Sequence, residues 1–190
     1  TEYRGFAPDF LFNILGTTPD AVVNDMPIFI RTYQGVFQDV NKTFPDLSKE
    51  VNEIQEGLKF VKHYFPEYQV PERVITFIGP LNSYGSIITT DGLAVGLQLY
   101  LGSNHPLYLS EEGQQMYPRF VSRRFDRAYM PVNSIKNVID DLYPQQYGDK
   151  PLIEQMVEAG KRLYLLDQLM PHAADTLKTG YTAKQLEGCY

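Results

Sequence analysis

Apolar residues recur at helical spacing over the first third of the chain, switch to strand-like runs in the middle, and return to helical spacing towards the end. In "DAVVNDMPIFIRTYQGVF" (20–37), Val22, Met26, Phe29, Ile30 and Tyr33 share one helical face, with Pro27 as an internal irritant. "DLSKEVNEIQEGLKFVKHYFPE" (46–67) opens with a capping signal at Asp46 or Ser48. It then places Leu47, Val51, Ile54, Leu58, Val61 and Phe65 on one face, and Pro66 stops it. Three short runs follow, at 73–79, 84–91 and 92–102, rich in β-branched and aromatic residues and broken by "GP" and "TDG". The TDG turn predicts a hairpin between the second and third runs. Leu93, Val95, Leu97 and Leu99 alternate with Ala94, Gly96, Gln98 and Tyr100, which predicts a strand over 93–101 with two different faces. We expect it to border a cleft between the sheet and the C-terminal helices, with Gly96 allowing an added chain to approach the backbone closely.

From about residue 115 the helical period resumes in "QMYPRFVSRRFDRAYM", "PVNSIKNVIDDLYP" and "KPLIEQMVEAGKRLYLLDQLMP". Thr182 and Gln185 then form a capping box at the start of "TAKQLEGCY". Helices, sheet, helices in that order predict an α+β fold, with helices flanking a small, mostly antiparallel sheet. No repeat, low-complexity segment or long linker divides the 190 residues, so a single domain over 1–190 is expected.

Charge and composition narrow the function. The formal net charge is −6 and the sequence pI about 5.0. No basic stripe accompanies them, which argues against a nucleic-acid partner. The densest cationic spot, Arg119, Arg123, Arg124 and Arg127 with Asp126 among them, reads as a solvated helix face. One cysteine, Cys189, rules out an internal disulfide framework and a cysteine-based metal site. No apolar run has the length of a membrane span. The chain starts at Thr1 without Met or a signal-type segment, so a targeting segment is expected to have been removed.

Candidate chemistry is sparse. His63, His105 and His172 are the only histidines, and no two stand four residues apart as in a helical zinc pair. His63 at a helix end is explained by its contact with the helix dipole, and His105 before Pro106 reads as a loop residue. No nucleophile elbow, phosphate loop or dinucleotide glycine pattern occurs. Among carboxylates, Asp140 and Asp141 are adjacent. Asn137 and Asp141, four apart, offer oxygen ligands for a hard cation, although solvation of a helix flank explains them equally well.

In "LIEQMVEAGKRLYLLD" (152–167), Leu152, Met156, Ala159 and Leu163 form one stripe, flanked by Ile153, Val157, Gly160 and Tyr164. Taken as the core side, this stripe turns Ala159 inward and leaves Glu158 outward with Glu154 and Arg162, as a surface salt-bridge residue.

In order, "LKFVKHYFPEYQVPERVITFIG", "GLAVGLQLYLG", "MYPRFV", "LIEQMVEAGKRLYLLDQLMP" and "TGYTAKQLEGCY" resemble the gliding-motility lipoprotein GldB family. That family looks like a remote relative of gluzincin-type zinc peptidases. The resemblance implies a zincin-like, peptidase-like architecture completed by a C-terminal portion beyond residue 190. "GLQLYLG" (96–102) matches the peptidase strand, with Gln98 where Asp is common, and "PVNSIKNVIDDLYP" takes the place of the HExxH helix without a histidine. Gly160 and Tyr164 match the helix of the third ligand, and Ala159 falls where the zinc-binding glutamate would stand.

The resemblance thus implies a non-catalytic, peptidase-like domain of an exported envelope lipoprotein, with no metal and no cofactor. Its role would be to bind or scaffold an envelope protein or peptide, related in relatives to gliding or secretion, with membrane association through a lipidated cysteine upstream of Thr1. Gly96, Gln98, Asn137, Asp141, Ala159 and Tyr164 are the candidate cleft residues. Two alternatives stand beside it: a hydrolase using Asp140, Asp141 or Glu158 as acid–base groups, and a peptide or glycan binder drawing on 14 tyrosines and 11 phenylalanines.

Overall fold

The computed structural model describes residues 4–144 and 150–189. The chain divides into two compact units, one made of residues 1–49 and 71–127, the other of 50–70 and 128–190.

The first unit holds the sheet. Its N-terminal helical stretch is α1 (Phe6–Pro8), continued by a π-helical turn at Asp9–Ile14, and is followed by α2 (Val22–Thr32) and α3 (Gln34–Thr43). Strands β1 (Val74–Phe77), β2 (Ser86–Thr89) and β3 (Gly92–Gly96) form one sheet in the order β1-β3-β2. The hairpin predicted at TDG is present: β2 and β3 pair antiparallel, with Thr89 opposite Gly92. Gly92 has φ +146°, and a Cβ there would lie 2.4 Å from the Arg73 carbonyl oxygen, so only glycine fits this turn. Asp91 in the same turn accepts the Phe6 backbone N–H at 2.7 Å and ties α1 to the hairpin. Phe6, Ile14, Ile75, Phe77 and Ala94 form the core beneath the sheet, with Phe10 and Ile87 packed against it.

Two expectations for the sheet are corrected. β1 pairs with β3 in parallel, so the sheet is mixed. The expected strand over 93–101 ends at Gly96, because Leu97–Leu99 turn into a 3-10 helix. β3 is the central strand, with a partner on both sides, and offers no edge to an added chain.

Two short helices, α5 (Pro106–Leu109) and α6 (Glu111–Met116), precede the helical stretch expected over 115–130, which itself holds only α7 (Arg119–Ser122) and a 3-10 turn at Arg127–Tyr129. Extended backbone at Tyr117 and Pro118 breaks it. The arginines there are consequently not one solvated face. Arg119 donates to the Ser103 carbonyl and the Asn104 side chain, and Arg127 lies over the Phe44 ring and donates to the Asp46 carbonyl.

The second unit is helical. Helix α4 (Ser48–Tyr64) starts where Asp46 accepts from both the backbone N–H and the hydroxyl of Ser48. Those two bonds hold the Asp46 carboxyl below the usual carboxylate range. Ile54, Leu58 and Val61 of α4 are buried, as the spacing predicts, and Gly57 is buried beside them. Gly57 lies flush against α8 (Met130–Leu142), where a Cβ would meet Ile135 at 2.8 Å. Of the stripe that its spacing predicts, Ile135, Val138, Ile139 and Leu142, α8 buries the first three and leaves Leu142 half-buried, and it buries Val132 as well. Helix α9 (Leu152–Leu169), then α10 (Asp175–Thr179) and α11 (Ala183–Glu187) complete the unit, and the Thr182–Gln185 capping box is formed.

Helix α9 is turned opposite to expectation. Its buried residues are Leu166 and Leu169, and Glu158 and Arg162 lie on the same side, half-buried. Leu152, Ile153, Met156, Val157, Leu163 and Tyr164 are exposed, as is Ala159. Arg162 supplies the physical reason. Its guanidinium, 14% exposed, pairs with Asp140, donates to the Tyr143 carbonyl and sits 5.4 Å from the centre of the Tyr143 ring. These bonds hold the polar edge of α9 against the end of α8.

Candidate functional site

The candidate cleft residues are divided between the two units, Gly96 and Gln98 in the first and Asn137, Asp141, Ala159 and Tyr164 in the second. Gly96 and Gln98 are fully buried within the first unit. A Cβ on Gly96 would lie 2.5 Å from the Tyr84 carbonyl oxygen, so this glycine accommodates the chain's own backbone. Gln98 accepts the Gly79 N–H at 3.1 Å through Oε1, while its Nε2 has no hydrogen-bond partner among the described residues.

In the second unit, Asn137 is half-buried on α8 and Asp141 is exposed, accepting the Tyr68 hydroxyl at 2.6 Å. Partial burial, with Asp141 beside it, raises the Tyr68 pKa. Ala159 and Tyr164 face solvent on the outer side of α9.

The three acid–base candidates are each held by a different neighbour. Asp140 pairs with Arg162, Asp141 with Tyr68, and Glu158 with both the Lys161 ammonium and the Tyr143 hydroxyl at 2.9 Å each. The Lys161 bond, then the Tyr143 bond, hold the Glu158 carboxyl below its ordinary range. Glu158 is thus a salt-bridge residue, as expected. Among the described residues, no group of three or more His, Cys, Asp or Glu side chains stands where a metal ion could be held.

The histidines have separate settings. In the first unit, His105 accepts the Leu107 N–H through Nδ1 at 3.3 Å, which leaves its proton on Nε2, 3.1 Å from Asp39. The ring therefore caps a helical turn and donates to a carboxylate. His63 packs edge-on against Tyr64. His172 lies at the mouth of a cavity that the sequence reading missed.

That cavity, about 300 Å³, lies within the second unit, lined by one face of α4, by Val132 of α8 and by the turn joining α9 to α10. Its walls are apolar: Phe60, Val132, Leu169 and Leu177. Glu53, Glu56 and His172 also line it, and the Glu56 and His172 side chains are more than half exposed with His172 Nε2 3.9 Å from Glu56. Pro171 ends the apolar run of α9, and Ala173 and Ala174 leave room where larger side chains would fill it. The available sequence signals were those two alanines after a proline, and two glutamates three apart on α4.

Deeper in the same unit, Lys178, 5% exposed, joins Asp167 and Asp175. Burial disfavours its ammonium, but hydrogen bonds to Asp167 and Asp175 outweigh it and raise the pKa.

Fold and site together define an α+β protein whose candidate carboxylates are tied to neighbouring side chains and whose described helices include none long and apolar enough to cross a membrane. The chain belongs to the gliding motility protein GldB family, whose model matches residues 1–190. It is accordingly a gliding-motility-related lipoprotein of the cell envelope. No curated protein and no solved structure matches the chain, so the likeness to zinc peptidases rests on sequence resemblance alone.

Proposed function

We propose that the chain is a non-catalytic binding module of the cell envelope, which holds a protein partner by a lysine or arginine side chain inserted into the cavity beside α4. The observation that carries this reading is the pairing of apolar walls with carboxylates in one recess of about 300 Å³. Methylenes of a long basic side chain gain by leaving water against Phe60, Leu169 and Leu177. Its charged tip then stays near Glu53 and Glu56. The volume is at the small end of the range for ligand sites, which suits one side chain of a larger partner. With each candidate acid engaged elsewhere, recognition is the task this geometry serves best.

Fluorescence polarisation with labelled peptides, Lys- or Arg-centred against Ala- or Glu-centred, tests the proposal. Basic peptides are expected to bind, more weakly as salt rises, and Leu177→Trp, which fills the recess, is expected to abolish binding. Equal affinity for all four peptides, or none for the basic pair, overturns the reading. A peptidase assay on protein purified without chelator tests the non-catalytic part: stoichiometric zinc accompanied by hydrolysis that a chelator removes overturns it.

A further inference from the structure

We propose that His172 is a pH gate on the recess beside α4: its protonated ring pairs with Glu56 and withholds that carboxylate from an incoming lysine or arginine, and its neutral ring releases it. The gate rests on the binding role proposed above and supplies its regulation.

His172 stands at the rim of the recess, in the turn that joins α9 to α10. Pro171 before it has a fixed φ, and the Ala173 N–H after it bonds to the Met170 carbonyl at 3.1 Å, so the backbone of the turn is held. The side chain, 81% exposed, has room to turn towards α4 or away from it. Its Nε2 lies 3.9 Å from Glu56 Oε1, beyond hydrogen-bond range but close enough for charges to act on each other. A proton on the ring therefore decides what Glu56 meets.

Histidine is the side chain whose charge ordinarily changes between about pH 5 and 8. The other titratable groups lining the recess are Glu53 and Glu56, both carried by α4. Helices α8, α9 and α10 line it with Val132, Leu169 and Leu177, which carry no charge. Asp167 of α9 and Asp175 of α10 are paired with Lys178, and Lys59 of α4 and Lys136 of α8 are not part of the lining. His63 packs against Tyr64, about 10 Å beyond Glu56 along α4.

With the ring neutral, Glu53 and Glu56 both act on an incoming cation. With the ring protonated, Glu56 is shared with the imidazolium, and the imidazolium repels the cation as well. Affinity for a basic side chain therefore rises with pH. Linkage makes the effect reciprocal, so that a bound lysine drives the proton off His172. Both partners are more than half exposed, which limits the change to about twofold to fivefold, the range for solvent-exposed ion pairs.

Fluorescence polarisation at about pH 5.5 and about pH 8, at constant ionic strength, tests the gate. The probe is the Lys-centred peptide, blocked at both ends so that its termini do not titrate. The wild type is expected to bind about twofold to fivefold more weakly at the lower pH. His172→Gln, which is never charged, should bind equally at both, and His172→Arg, which always is, should bind weakly at both. The exposed position lets either variant fold as the wild type does. In Glu56→Gln the pH ratio should shrink, since the carboxylate under competition is gone. Calorimetry at about pH 6.5, in buffers of different ionisation enthalpy, should show proton release on binding by the wild type and none by His172→Gln.

Binding at the higher pH and the ratio between the two pH values answer separate questions. Wild-type binding that is equally strong at both overturns the gate and leaves the binding role standing. A pH ratio that persists in His172→Gln, or is unchanged in Glu56→Gln, does the same. No binding of the basic peptide at either pH overturns the binding role and the gate together.

Discussion

Arg162 and Asp140 form an ion pair between α9 and α8 in which the arginine is largely buried and the aspartate half exposed, at 14% and 52%. The same guanidinium donates to the Tyr143 carbonyl and covers the Tyr143 ring, so one side chain determines which side of α9 faces inward. Arg162→Ala is expected to lower stability by about 1–2 kcal/mol, the range for hydrogen bonds to a charged group discounted for the exposed acid. Urea unfolding measures it. Lysine, a point charge without the planar fork, should recover less than half of the loss.

The seat of Gly57 against Ile135 gives a prediction of opposite character, since here adding an atom does harm. Gly57→Ala improves helix propensity by about 1 kcal/mol but drives a methyl into Ile135, a clash of the kind that costs about 1–3 kcal/mol. A net loss is expected. Ile135→Ala removes both the δ-methyl and the γ-carbon that the added methyl meets at 2.8 Å, so the double variant should be more stable than the two separate losses imply. A double-mutant cycle by chemical denaturation reads this coupling.

Lys178 makes stability sensitive to alkaline pH. Its folded pKa is raised, so its contribution is fully present below the unfolded lysine pKa of about 10.4 and is lost as pH rises through the higher folded value. Unfolding free energies measured across that window should fall less steeply for Lys178→Gln than for the wild type. A parallel fall in both proteins would assign the alkaline loss to other groups.

Ala159→Glu restores the acid that the peptidase resemblance assigns to this place. Because Ala159 faces solvent, the variant should fold within about 0.5 kcal/mol of the wild type. It should also bind no stoichiometric zinc in elemental analysis, since a single carboxylate lacks the further ligands a zinc site requires.

These residues also show what was readable beforehand. The inward face of α4, the buried stripe of α8, the TDG hairpin and the Thr182 cap follow from local rules, because spacing and turn chemistry act within a few residues. The orientation of α9 does not. A wheel locates an apolar stripe but not the neighbour that a helix finds, and Arg162 reaching Asp140 and Tyr143 outweighed six apolar residues. Nor was the end of β3 readable: the alternation ran on to Leu101, while the Tyr84 carbonyl beside Gly96 and the bond from Gly79 to Gln98 belong to residues distant in sequence. The cavity beside α4 was hidden for the same reason, being assembled from three separate segments.

The division of the chain into two units has a consequence for synthesis. Each unit takes the chain in two passes, so no single cut releases either of them whole. As the polypeptide emerges from its N-terminus, α4 appears with Ile54, Leu58 and Val61 uncovered, and all of residues 71–127 must follow before Ile135 arrives to cover Gly57. For that interval α4 is an apolar helix without its neighbour, a segment that a chaperone of nascent chains is suited to hold.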